Sequence, residues 1–326
     1  MTDILLGLGA IVFGVALSYG LFWFLNLLFS LLPKKILSRV QWLAFLTPAL
    51  VLVTLVLVLP IFQTVIWSFM DDRVTEFVGW ENYINLFTDP DFLGVLLNNF
   101  LWVLIVPAIT VAIGTLVATL SNQVGPTREK IFKSLIFMPM SISFVAAATI
   151  WSLTYAYVPP GRPEVGILNS VVKAVGLETQ PWLTLDGGRL NSFLLMAVLV
   201  WLQVGYSMVI ISAAIKAVPE ETLEASRIDG ANAWQIFARI ILPQVWGAVM
   251  SVFVTVLILV MKIFDVVLAM TGGNFNTSVL ALEWYRVFFE GGDIGPASAI
   301  VIILLILIIP LMYVQIRTVK QQEALR

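Results

Sequence analysis

The sequence predicts an all-α integral membrane protein of about seven transmembrane helices. Three observations carry this. Hydrophobic side chains make up 60% of the 326 residues and charged ones 12%, with a mean hydropathy of +0.98, outside the range of soluble globular domains. Apolar runs long enough to cross about 30 Å of hydrocarbon recur along the chain. Lys and Arg gather in alternate loops between those runs, the pattern that retention on one side of a bilayer imposes.

In order, the runs cover residues 4–32, 42–69, 95–120, 131–157, 192–215, 245–270 and 297–316. The first is too long, and its amino end too poor in Lys and Arg, for a cleaved signal peptide, so it is expected to stay as a membrane helix. Lys34, Lys35 and Arg39 follow it; Arg128, Lys130 and Lys133 follow the third run; Lys216, Arg227 and Arg239 follow the fifth; Arg317, Lys320 and Arg326 close the chain. The alternate loops hold Arg73, then Arg162, Lys173 and Arg189, then Arg286, while Lys262 lies inside the sixth run. Twelve basic residues against five put the N-terminus outside and the C-terminus in the cytoplasm.

Composition also excludes chemistry. With no Cys and no His, there is no disulfide framework, no thiolate or imidazole metal site and no His general base, and no paired carboxylates stand inside the membrane runs. No Gly precedes any Lys, so a phosphate-binding loop ending in Lys and Ser or Thr cannot form. A nucleotide, if used, is bound by another polypeptide.

The most informative polar stretch runs from Pro219 to Pro243, between two apolar runs. Pro219 followed by Glu220 and Glu221 is a helix start, because Pro suits the first turn and the acids complement the exposed amides. Gly230 supplies a left-handed residue to end that helix, and Trp234, Phe237 and Ile241 share a face of a second helix leading to Pro243. Glu224, Ala225, Ser226 and Asp229 precede the Gly230 turn, with Ile240, Leu242 and Pro243 further along.

Two further groups are candidates. In the fifth run, Trp201, Gln203, Gly205, Tyr206 and Ser207 bring neutral hydrogen-bonding groups beside aromatic rings, which suits a sugar, and Gln203 and Tyr206 are three apart on one face. The sixth run holds Lys262 and Asp265 at the same spacing, expected to neutralise each other within the helix as an intramembrane ion pair. Outside, one loop is acidic, with Asp71, Asp72, Glu76, Glu81, Asp89 and Asp91, and a longer one is rich in turn formers from Pro159 to Gly166.

The spacing Glu224-Ala225-Ser226, three residues, Gly230, nine residues, Ile240-x-Leu242-Pro243 resembles the cytoplasmic motif Glu-Ala-Ala, Gly, Ile-x-Leu-Pro of permease subunits of bacterial binding-protein-dependent (type I) ABC importers, with Ser226 in place of the second Ala. Within that family the chain resembles the larger permease of the maltose type, from about Asn82 to the end. Gly166-Ile167-Leu168-Asn169 with Trp182, and the segment from Phe264 to Gly273, also resemble elements of sugar permeases.

The resemblance implies a six-helix core over about 95–316 within a permease domain at 42–326, a coupling loop at 216–244, and residues 1–41 as an added N-terminal helix with its cytoplasmic linker. It implies a multi-pass protein of the bacterial inner membrane, surrounded by lipid, that is not an enzyme. Its partners would be a second homologous permease, a dimer of ATPase subunits that bind the ATP and magnesium, and an extracytoplasmic solute-binding protein; no cofactor resides in this chain and no nucleic acid is involved. Tyr206 matches a sugar-binding Tyr of the maltose-type permease, and Leu202, Gln203, Val256 and Leu259 take other lining positions. The implied cargo is a carbohydrate such as maltose, sucrose or trehalose. The alternatives are a polyol, glycerol phosphate or another oligosaccharide, or a secondary transporter working through Lys262 and Asp265.

Overall fold

A computed structural model describes residues 2–30, 46–159 and 161–324. Contacts divide the chain into two units, Met1–Trp67 and Ser68–Arg326. In the first, α1 (Thr2–Ser30) is one helix of 29 residues, and α2 (Leu46–Trp67) contains a π turn at Thr54–Val58. Pro60 accounts for that turn, because it has no N–H to return to the preceding turn. Lys34, Lys35 and Arg39, the ends of the first two expected spans at 31–32 and 42–45, and the division expected after residue 41 lie outside the described residues.

The second unit comprises α3 (Glu81–Thr88), α4 (Pro90–Ser121), α5 (Pro126–Phe137), α6 (Phe144–Thr154), α7 (Ile167–Ala174), α8 (Leu190–Lys216), α9 (Glu220–Ile228), α10 (Ala233–Met261), α11 (Asp265–Thr271), α12 (Leu280–Tyr285) and α13 (Ile294–Ala324). Among the described residues the only strand-like pairing is an isolated bridge between Met70 and Phe77. The described residues are mostly helical, as expected.

At the centre stands α8, with 67% of its most apolar window buried, against 39% for α4 and 44% for α10. Leu195, Leu199, Leu202, Met208 and Ile211 of α8 meet Trp102 and Val106 of α4 and Val252 and Val256 of α10 in one apolar core. Gly205 lets α8 approach α5 closely, since a Cβ there would lie 2.5 Å from the Ile136 carbonyl oxygen and 2.6 Å from the Phe137 Cα.

Two expected spans are corrected. The run 131–157 is not one helix: α5 and α6 meet at a 102° bend. Pro139 sits in a 3-10 turn, Met138–Ser141, where α5 gives out, and the Ser143 hydroxyl then caps α6 by accepting the Ala146 N–H at 3.2 Å. The run 245–270 breaks too, with α10 ending at Met261 and α11 beginning at Asp265. Among the described residues five helices are long and apolar enough to cross a bilayer, six if the bent pair is one span; in α1 the apolar stretch is Val12–Leu27.

Candidate functional site

The segment Pro219–Pro243 folds as a short helix, a turn and the start of a long helix. Pro219 precedes α9 with φ −59° and ψ 131°, and Glu220 and Glu221 occupy its first turn. The end of α9 is closed by a pair of reversed hydrogen bonds: Ala231 N–H donates to the Ser226 carbonyl at 3.0 Å and Gly230 N–H to the Arg227 carbonyl at 3.1 Å. That closure needs a left-handed residue, and Gly230 takes φ +81°. Next, Asn232 and Gln235 cap α10 reciprocally. This cap was readable in the sequence as Asn-x-x-Gln but is not part of the expected site.

The two caps fix the course of α9 without covering it. Glu224, Ala225, Asp229 and Gly230 are exposed, and Ile228 is 86% and Trp234 72% exposed. Ser226 differs: it is 6% exposed, and its hydroxyl donates to the Leu223 carbonyl at 2.7 Å. A small side chain is needed there because the position faces inward. Beyond the cap, a π turn at Phe237–Ile241 precedes Pro243, whose missing N–H again frees a carbonyl one turn earlier. Ile240 and Leu242 are half-buried, and Leu242 packs against the apolar core.

The other candidate residues converge only in part. Leu202, Gln203, Tyr206 and Leu259 line one cleft of about 610 Å³, together with Thr255 and Asp265. Its remaining wall is the bend between α5 and α6, where Ser143 sits. Val256 is not on this surface; at 1% exposure it belongs to the core. Trp201 is also elsewhere: its ring meets that of Trp151 edge-on with centroids 5.7 Å apart, and it lines a separate apolar groove of about 600 Å³.

Lys262 and Asp265 do not form the expected ion pair. Lys262 follows the last residue of α10 with φ −106° and ψ 15°, Phe264 at φ −141° and ψ −54° is not helical, and Asp265 starts α11. A three-residue spacing brings side chains onto one face only while the helix is continuous. Lys262 is exposed, whereas Asp265 is among the residues that line the cleft with Gln203 and Tyr206. Sequence reasoning missed this place for Asp265. The available signal was Pro139, which marks the bend that forms the facing wall.

Residues 110–318 match the family described as the inner membrane component of binding-protein-dependent transport systems. The chain belongs to that family. A relative from Rhizobium meliloti (strain 1021), the alpha-glucoside transport system permease protein AglF, is 41% identical over 99% of this chain and 99% of its own length. The osmoprotective compounds uptake permease protein GgtC of Synechocystis is 44% identical over 86% of this chain and all of its own length. In fold the chain is similar to a subunit in the crystal structure of a bacterial ABC transporter that imports the acidic polysaccharide alginate, with a TM-score of 0.73, 20% identity, and coverage of 87% of this chain and 98% of that one.

As a member of the family, the chain is a permease subunit of the inner membrane and not an enzyme. The Glu224 segment and the cleft both lie within the matched region.

Proposed function

We propose that this chain is one of two permease subunits of an ATP-driven importer for a neutral carbohydrate, an α-glucoside such as maltose, sucrose or trehalose, delivered by an extracytoplasmic solute-binding protein. The observation that carries the reading is the connection of α9. It joins α8, which bears Leu202, Gln203 and Tyr206, to α10, which bears Thr255 and Leu259. From Tyr206 to Lys216, α8 runs unbroken for about 15 Å at 1.5 Å per residue. A displacement of the exposed α9 is therefore delivered to the cleft through rigid helices.

In this reading α9 faces the cytoplasm, as the basic residues direct, and docks on an ATPase subunit that binds ATP and magnesium. Closure of the ATPase dimer carries α9 with it, the permease pair opens outward to receive the solute, and hydrolysis resets the pair inward. Glu224 supplies polar contact to the motor, Ala225 permits close approach, Ser226 packs the helix inward and Gly230 holds the turn.

The cleft chemistry supports the cargo. Gln203, Tyr206, Ser143 and Thr255 supply neutral donors and acceptors among apolar walls, and among the described residues the one charged residue lining the cleft is Asp265. A carboxylate accepts hydrogen bonds from hydroxyls and repels phosphates and acidic sugars. The relative named for α-glucosides supports the same class.

The test is ATPase activity and uptake in membranes holding this chain with its neighbouring permease, ATPase and binding protein, across α-glucosides, polyols and glycerol phosphate. Stimulation by an α-glucoside that Glu224→Ala and Gly230→Pro abolish is the expected result. A complex that assembles yet imports regardless of both substitutions defeats the coupling role of α9, and stimulation only by glycerol phosphate defeats the cargo.

A further inference from the structure

Three helix ends meet immediately before α9. Glu129 lies in the first turn of α5, Asn122 follows the last residue of α4, and Ser212 and Lys216 lie in the last turns of α8. A single carboxylate oxygen, Oε1 of Glu129, is 2.5 Å from Lys133 Nζ and 2.5 Å from Lys216 Nζ. Lys133 also donates to Asn122 Oδ1 at 3.2 Å and to the Ser212 hydroxyl, and that hydroxyl in turn donates to Asn122 Oδ1 at 2.8 Å. The Glu129–Lys133 bond runs along α5, while those from Lys216 to Glu129, from Lys133 to Asn122 and Ser212, and from Ser212 to Asn122 run between elements.

Burial makes the arrangement more than a solvated surface. Side-chain exposure is 13% for Glu129 and 20% for Lys133, and Ser212 is 1% exposed, while Lys216 at 54% stands at the rim. Charge-assisted bonds with this degree of shielding hold more firmly than exposed pairs. Lys216 is also the last residue of α8, separated from α9 only by Ala217, Val218 and Pro219.

We infer that Glu129 is a positioning residue which ties the start of α5 and the end of α4 to the root of α9, so that movement of α9 reaches α5 as well as α8. The consequence concerns the cleft, because α5 leads into the bend at Met138–Ser141, the wall facing Gln203 and Tyr206. With the tie in place both walls respond to α9; without it α8 moves and the bend lags. This rests on the reading of α9 as the segment that the ATPase moves.

The test uses the intact complex and the absence of Cys from the chain. Nitroxide labels on Arg128→Cys and Thr222→Cys, both exposed positions, report the separation of α5 and α9 by pulsed spin resonance. A narrow distance distribution is expected in the otherwise native chain, and one at least about twofold broader in Glu129→Gln and Lys216→Met. In parallel, ATP hydrolysed per solute imported is expected to rise about tenfold in both variants, the effect of losing one charge-assisted bond, and to stay near the native value in Lys216→Arg.

Lys216→Met leaves the partly buried Glu129–Lys133 pair intact and decides the matter if Glu129→Gln does not fold. An unchanged distribution in Lys216→Met overturns the inference whether or not the complex transports. A broadened distribution with an unchanged ratio overturns its role in coupling. Absence of any ATP-driven uptake by the native complex counts against the proposed function, and the label distances still decide the tie.

Discussion

Trp182 donates its indole N–H to Oδ1 of Asn169 at 2.8 Å, the contact that closes the long loop between α6 and α8. The same oxygen accepts the Gln180 N–H at 2.9 Å, and the Asn169 amide donates to the carbonyls of Ala156 at 2.9 Å and Gln180 at 3.0 Å. Asn169 is fully buried, and both of its polar atoms are doubly engaged. The elements singled out in the sequence, Gly166 to Asn169 and Trp182, are thus one structural unit.

Replacing Asn169 by Ala strands the Trp182 and Gln180 donors in a buried site. The expected loss is about 2–4 kcal/mol of local stability, from unpaired donors and the lost packing. Thermal unfolding followed by Trp fluorescence checks it, with Trp182→Phe as the milder partner. A midpoint unchanged in Asn169→Ala contradicts the assignment.

Gly230 at φ +81° bears on the turn after α9 alone. Gly230→Ala is expected to destabilise the turn by about 1 kcal/mol, the cost of a left-handed Ala. Faster amide exchange over residues 226–235 checks this, and ATP-coupled uptake is expected to fall while the amount of protein in the membrane does not change.

Tyr206 and Gln203 face the cleft opposite the bend at Ser143. Tyr206→Phe removes one hydrogen-bonding hydroxyl and is expected to weaken solute-stimulated hydrolysis about 2- to 10-fold, as a rise in the solute concentration giving half-stimulation. Trp201→Ala, altering a side chain in a different groove, is expected to leave that concentration unchanged.

Asp265 sets the charge of the cleft. Asp265→Asn is expected to retain import of a neutral sugar and to admit inhibition by an anionic analogue that the native protein ignores. Competition uptake with matched neutral and acidic disaccharides measures it. Equal exclusion of the acidic sugar by both proteins removes Asp265 from selectivity.

Asp71 gives a pH dependence outside the membrane. Its carboxylate accepts the Glu76 N–H at 3.0 Å, the Thr75 hydroxyl at 2.7 Å and the Thr75 N–H at 2.5 Å, which hold its pKa below the ordinary 3.8. Because the folded value is the lower one, the support this carboxylate lends the turn is complete above pH 3.8 and is lost as pH falls through the folded value. Amide exchange of residues 71–78, corrected for its intrinsic pH dependence, is expected to show loss of protection in that window, and none of that dependence in Asp71→Asn.

The sequence alone determined the class of molecule, most of the spans and the start and end of α9. These depend on composition and on interactions between near neighbours: apolar length, Pro219 at a helix start, Gly230 at its end, and residues held at fixed spacing. Tertiary structure decided the rest. A long apolar run does not reveal whether its backbone continues straight, so 131–157 read as one helix until Pro139 and the Ser143 cap turned it. Spacing assigns residues to a face only along an unbroken helix, so the break at Lys262 separated it from Asp265 and left the carboxylate in the cleft. Which side of a helix lines a cavity depends on packing against distant elements. That is why Gln203 and Tyr206 came together with Asp265, while Val256 went to the core and Trp201 to another groove. The link from Glu129 to Lys216 spans elements far apart in the chain, and no local pattern announces it.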